Sequence, residues 1–229
     1  MSAIAWFEHF TRGTLDTASP AVSNFSRTGM GSRTFAFFLL WLGVLGVAFT
    51  QEPYFPHGVL EDSAQGDSFR SNWYSKHLKA LDEPSLFQKS KGSSAESYRF
   101  VWLRTFHHPI IVRVDIQTDG GATLTTKVSD GAGGYEPGKL VENTSRPLTQ
   151  RQTEQFVATI QRLQFWELHT HENPETVGCD GAQWIIEGMK DGKYHVVDRW
   201  TPAKGAVHDL GLAFVLGLAQ MRIPKDELY

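Results

Sequence analysis

One cysteine, Cys179, stands in a chain of 229 residues. A lone thiol excludes an internal disulfide and leaves the redox compartment open. A surplus of basic charge is missing too. Lys and Arg number 22 against 25 Asp and Glu, for a net charge of −3. A broad nucleic-acid surface needs clustered Lys and Arg to displace counterions, so that class of partner is argued against. The glycine-rich stretch 131–138, G-A-G-G-Y-E-P-G, has neither the phosphate-cradling nor the dinucleotide-binding spacing. No H-E-x-x-H helix and no G-x-S-x-G elbow occurs, and no internal repeat. These absences leave the activity undeclared.

Charge is absent from one further place, Thr34 to Gln51, a run dense in Phe, Leu, Trp, Val and Gly. Its eighteen residues would span about 27 Å as a helix at ~1.5 Å per residue, just short of a ~30 Å hydrocarbon core. Arg27 and Arg33 precede it, and Glu52, Glu61, Asp62 and Asp67 follow. That asymmetry predicts a single-pass anchor in the cytoplasmic membrane, with residues 1–33 a cytoplasmic tail and the bulk of the chain outside. The lipid bilayer is then the partner of 34–51. A competing expectation is a cleaved secretory signal. Met30 would be the true start instead of Met1, Arg33 would supply the positive region, and Gly46-Val47-Ala48 the small-residue cleavage site. Either way the domain is exported, periplasmic or secreted in the second case.

Beyond the run, Pro53, Pro56, Gly58 and Gly66 suggest a linker. Ser71 is a candidate cap for a short helix over 72–82, closed by Pro84. From Tyr98 the pattern turns to strands over 98–106, 110–117 and 122–128, an antiparallel meander with a turn at Asp119-Gly120-Gly121. The glycine stretch reads as a wide turn packing Tyr135 on the sheet. Thr149-Gln150-Arg151-Gln152 fits a capping box. The helix after it carries Phe156, Val157, Ile160 and Leu163 as a sheet-facing stripe. Phe165–Leu168 reads as a short edge segment. A last helix over 206–221 presents Val207, Leu210, Phe214, Leu218 and Met221, and 223–229 is a tail. The fold class expected is α+β: an antiparallel sheet with helices packed on one face, spanning 97–222, after the membrane helix and the 52–96 linker region.

The strongest hairpin runs from Asp180 to Trp200, around Asp191-Gly192, a dipeptide suited to a type I′ turn. That loop pairs Lys190 with Lys193, Gly188 with His195, Ile186 with Val197 and Trp184 with Arg199. Alternation then places Trp184, Ile186, His195, Val197 and Arg199 on one face. Ile185, Glu187, Met189, Tyr194, Val196, Asp198 and Trp200 fall on the other. Neither face is purely apolar, as expected of a hairpin covered on both sides or lining a cleft. Trp184 opposite Arg199 suggests a cation–π contact.

Ligand-binding candidates are therefore Trp184, His195, Arg199 and Tyr135, with Glu187 and Asp198 as a carboxylate pair suited to acid–base work or to interior ion pairs. His169-Thr170-His171-Glu172 is the metal candidate. On a strand, His169 and His171 would share a face and a carboxylate would complete an open zinc site. No other cofactor is implied. A solvated loop is the plainer reading, and Cys179 with His195 is weaker still as a nucleophile pair, because Asp180 opposes thiolate formation.

F-H-H-P-I-I-V-R-V (106–114), G-A-G-G-Y-E-P-G-K-L (131–140), F-W-E-L (165–168), D-G-A-Q-W-I-I-E-G (180–188) and Y-H-V-V-D-R-W (194–200) resemble a group of uncharacterised bacterial exported or membrane-anchored proteins. The resemblance covers about 97–220, implies no activity and assigns no catalytic residue. The first expectation for function is a membrane-anchored extracytoplasmic binding or interaction domain. The alternatives are a metal- or carboxylate-dependent hydrolase and a structural accessory subunit of an envelope complex.

Overall fold

The computed structural model describes residues 52–172 and 180–229. The expected tail 1–33, the apolar run 34–51 and Cys179 lie outside the described residues. Within them, no helix is long and apolar enough to cross a membrane.

Six strands form: β1 (Glu96–Arg104), β2 (Ile110–Ile116), β3 (Ala122–Ser129), β4 (Leu140–Leu148), β5 (Ala182–Lys190) and β6 (Lys193–Trp200), all but β4 carrying apolar residues turned to the core. They form one antiparallel sheet in the order β4-β3-β2-β1-β5-β6. The chain is thus α+β, as expected. Asp191 and Gly192 both adopt positive φ (50° and 77°), the requirement of a type I′ turn. The register follows from it: Gly188 faces His195, Ile186 faces Val197, and Trp184 faces Arg199.

One face of the sheet carries Tyr98, Phe100, Trp102, Val112, Val114, Trp184, Ile186 and Val197. Two helices cover it. The first, Gln150–Arg162, begins at the capping box: the Thr149 hydroxyl accepts from Gln152 N–H while Thr149 N–H donates to Gln152 Oε1 at 3.0 Å. It buries Phe156 and Ile160. The second, Ala206–Leu212, continues as a π-helical stretch, Ala213–Leu218, and buries Val207, Leu210, Phe214 and Leu218. It ends three residues short of the expected 221.

Covering the sheet on one face alone does not hold. A further helix, α1 (Ala64–Ala80), packs Tyr74 and Leu78 with Phe55, Leu60 and Leu81 on the opposite face, against Val101, Leu103, Ile111, Ile185 and Val196. The sequence-based start at Ser71 misplaces this helix because Ser63 is its cap, accepting from Gly66 N–H at 3.1 Å. Nor does the stretch before it behave as a linker. Phe55 and Leu60 are buried, and the Asp67 carboxylate accepts from the N–H groups of Gly58 (2.8 Å) and Leu60 (2.9 Å). A short helix, α2 (Leu86–Ser90), follows, capped by Ser85. We number the two helices of the first face α3 and α4, in chain order.

Three further segments depart from expectation. β4 has no apolar alternation; residues 141–147 are all exposed, and only its pairing with β3 makes it a strand. Phe165–Glu167 is a 3₁₀ turn, not an edge segment. The outer edge of β6 is met by the chain at Thr170, whose carbonyl accepts from Asp198 N–H at 2.6 Å.

His77 of α1 is fully buried. Its Nε2 accepts from Trp73 Nε1 at 2.9 Å, and its Nδ1 has no partner among the described residues. Burial, with Lys76 adjacent, pushes its pKa down to about 4. The folded state then binds fewer protons than the unfolded chain between pH 6.5 and 4. Stability from this residue is complete above pH ~6.5 and is lost as pH falls toward 4, by roughly 3 kcal/mol in all. His77→Gln keeps an acceptor for Trp73 without the titration. Urea unfolding at pH 7 and pH 4.5 should show a smaller loss of stability in the variant than in the unaltered chain.

Candidate functional site

Glu187 and Asp198 both point to the α1 face and are fully buried, but they belong to separate networks. Three neighbouring strands each send a cation to that face: Arg99 from β1, Arg113 from β2 and Lys127 from β3. Arg99 and Arg113 are direct cross-strand partners, an arrangement that repels unless anions intervene. Glu83, from the α1–α2 connection, supplies one. Its carboxylate meets Arg99 (3.2 Å), Arg113 (2.7 Å) and Lys127 (3.0 Å). Glu187 supplies the other, accepting from Arg99 Nε at 2.8 Å and from the Tyr194 hydroxyl at 2.8 Å. Burial disfavours the Arg99 charge, yet Glu187 and Glu83 outweigh it and its pKa is raised. Burial pushes the Tyr194 phenol well up, with Glu187 adding to it.

Asp198 lies in the second network. It accepts from the Tyr74 hydroxyl (2.7 Å), from Arg70 (2.9 Å) and from the Gln183 amide. Burial raises its pKa despite those donors. Asp198 thus ties α1 to the sheet directly, whereas Glu187 holds Arg99, which in turn reaches Glu83 and the Pro84 carbonyl. No hydrogen bond joins the two carboxylates.

On the other face, Trp184, Arg199 and His195 do not converge. Trp184 is a core residue, tilted against Trp102 and stacked on His208. The expected cation–π contact is replaced. The Arg199 guanidinium turns to the chain beside β6, donating to the carbonyls of Thr170 (2.9 Å) and His169 (2.9 Å) and to Glu172 (2.8 Å). His195 sits near the hairpin tip, edge-on to Phe165. It borders an open cleft of about 750 Å³ with Trp166, Glu167, Lys190, Lys193 and Tyr194. Burial lowers its pKa, which keeps the imidazole neutral.

The metal candidates are engaged otherwise. His169 lends its carbonyl to Arg199. His171 Nε2 lies 3.2 Å from Asp62, and Glu172 pairs with Arg199. Among the described residues no cluster of three His, Cys, Asp or Glu side chains is close enough to hold a metal ion. The segment lacks the strand pairing that would align His169 and His171.

The glycine-rich stretch docks by its backbone, not by Tyr135. Gly133 N–H donates to His107 O (3.0 Å) and Gly134 N–H to Thr105 O (3.2 Å). A Cβ on Gly133 would lie 2.5 Å from the Leu103 carbonyl carbon, so only glycine permits the approach. Tyr135 is then turned outward. It is 58 % exposed beside Phe106, 57 % exposed, with ring centroids 6.3 Å apart. His107 and His108 lie in the adjoining turn. His108 Nδ1 donates to Gly131 O (2.8 Å), and His107 Nδ1 meets the Tyr229 hydroxyl (2.7 Å).

Comparison with protein-family models and with curated proteins finds no match. Sequence reasoning missed Glu83, Arg99 and Arg70, which read as ordinary surface charges. The odd-position cations of β1, β2 and β3, all on one strand face, were the available signal. Removing one anion leaves buried cations uncompensated, which typically costs about 3–5 kcal/mol. Glu83→Ala and Glu187→Ala should each lower the urea midpoint by that equivalent, whereas Glu172→Ala, at an exposed pair, should shift it by less than about 1 kcal/mol.

Proposed function

We propose that the chain is a membrane-anchored, extracytoplasmic interaction domain of a bacterial envelope. Residues 34–51 hold it in the bilayer, with the N-terminus cytoplasmic, and its contact surface is the Phe106–Tyr135 pair. The carrying observation is that pair: two large aromatic side chains, each more than half exposed, on backbone fixed by Gly133 and Gly134. Tyr and Phe are enriched at the centres of protein interfaces, and a rigid base limits the entropy lost on binding. The charge-free run, with arginines before it and acids after it, supports the anchoring and the orientation. So does the resemblance to exported proteins. The hydrolase reading has less support, since Glu187 and Asp198 are taken up by buried ion pairs.

Two measurements test this. A reporter fused after Tyr229 that is active only outside the cytoplasm should be active, and deletion of 34–51 should silence it. A photo-crosslinking residue at position 135 of the full chain in intact membranes should trap a defined envelope protein. The same residue at exposed position 204 should not, and Phe106→Ala should reduce the yield at least fivefold. Equal trapping from both positions would defeat the proposed surface.

A further inference from the structure

The segment 222–229 is held against the end of the sheet as a bound peptide would be. Trp102 of β1 and Trp184 of β5 are cross-strand partners. Both indole N–H groups converge on one acceptor, the main-chain oxygen of Tyr229, at 2.9 and 3.0 Å. The Arg104 guanidinium lies 4.5 Å over the Trp102 ring and donates to the Glu227 carboxylate at 2.8 Å. His107 takes the Tyr229 hydroxyl, while Leu228 and Tyr229 pack on the sheet-face core. The segment contributes no strand. Its own order is one 3₁₀ turn, Lys225–Glu227, closed by local hydrogen bonds.

The receiving side differs in character. Trp102, Trp184 and Arg104 are 1 %, 2 % and 4 % exposed. Were 225–229 to leave, two indole donors would lose their acceptor and Arg104 its carboxylate, keeping only the His108 carbonyl at 3.3 Å. Arg104 Nε is already buried without a partner among the described residues. Buried donors demand acceptors, so the vacated cleft calls for an occupant. Its donors specify that occupant's chemistry: a main-chain oxygen for the indoles, a carboxylate side chain two residues earlier for Arg104, and an aromatic hydroxyl for His107.

We propose that this cleft is a peptide-recognition site for an acidic–apolar–aromatic segment of the Glu-x-Tyr type, occupied in cis by residues 225–229. The proposal goes beyond the interaction domain described above and needs neither the membrane anchor nor the Phe106–Tyr135 pair. A tethered occupant competes at an effective concentration on the order of millimolar, so the cis segment masks the site until it is weakened or outcompeted.

The test uses a fluorescein-labelled heptapeptide of residues 223–229 and the full chain, read by anisotropy. Glu227→Ala with Tyr229→Ala, which weakens the cis occupant, should bind the peptide at least tenfold tighter than the unaltered chain does. Arg104→Met added to that variant should reverse the gain. Equal affinity of the double variant and the unaltered chain, or binding indifferent to Arg104→Met, would overturn the proposal. Should the double variant fail to fold, Glu227→Ala alone supplies the answer: it should bind the labelled peptide at least threefold tighter than the unaltered chain, and equal affinity would equally overturn the proposal.

Discussion

The Arg99 guanidinium, wholly out of water between Glu83 and Glu187, is the interaction on which the remaining architecture turns. β1 and β2 set Arg99 directly against Arg113, and β3 adds Lys127 to the same face. Glu187 and Asp115 of the sheet itself meet Arg99 and Arg113, but Lys127 finds its carboxylate outside the sheet, in an anion that all three cations share. Glu83 is that anion, and it comes from the chain that precedes the sheet. The docking of 52–90 is therefore a condition of the sheet, not an ornament on it. Buried ion pairs often contribute little net stability compared with apolar packing. What this one imposes is geometry, because no other placement of the α1–α2 connection brings one carboxylate to three cations.

The same economy shapes the functional reading. Residue types suited to catalysis are plentiful along the hairpin, yet the fold spends them internally. Glu187 and Asp198 close networks, Arg199 holds the chain at 169–172, and Trp184 fills the core. Among the described residues, Phe106 and Tyr135 are large side chains that face outward side by side; Phe69 of α1 is also exposed, but it lies edge-on to Trp73 of its own helix. Phe106 and Tyr135 stand at the end of the sheet where Arg104 and His107 receive 222–229. Contact chemistry is thus gathered around one turn, the one between β1 and β2.

Legibility in the sequence followed how local each determinant was. The hairpin register was readable because two residues, Asp191 and Gly192, set it. The capping box at Thr149 and the buried stripes of α3 and α4 were readable for the same reason. β4 was not, because an exposed edge strand with Asn143, Ser145 and Pro147 shows no alternation, and its pairing partner in β3 alone defines it. α1 was placed late because its cap sits eight residues before the Ser71 that pattern suggested. The second layer was hidden too. A single cation on each of three strands, Arg99, Arg113 and Lys127, looks like a solvent-facing position until a distant glutamate is known to cover all three. Of the candidate site, Trp184 and Tyr135 were named, though Tyr135 was expected to pack on the sheet; Phe106, Trp102 and Arg104 were not singled out, since their convergence depends on the 222–229 segment, read as a tail, folding back more than a hundred residues to Trp102.

β4 carries one more consequence. A sheet with free rims invites further strands, from a neighbour or from a misfolded copy. Here the β6 rim is shielded at Asp198 by the carbonyl of Thr170. The β4 rim holds Pro147, which has no N–H to offer, with Glu142 standing out into water and Arg146 reaching to the Leu218 carbonyl. Stacking of copies along the hydrogen-bonding direction is opposed at both limits. In a chain so rich in aromatic residues, both rims of the sheet are thus guarded against edge-to-edge pairing.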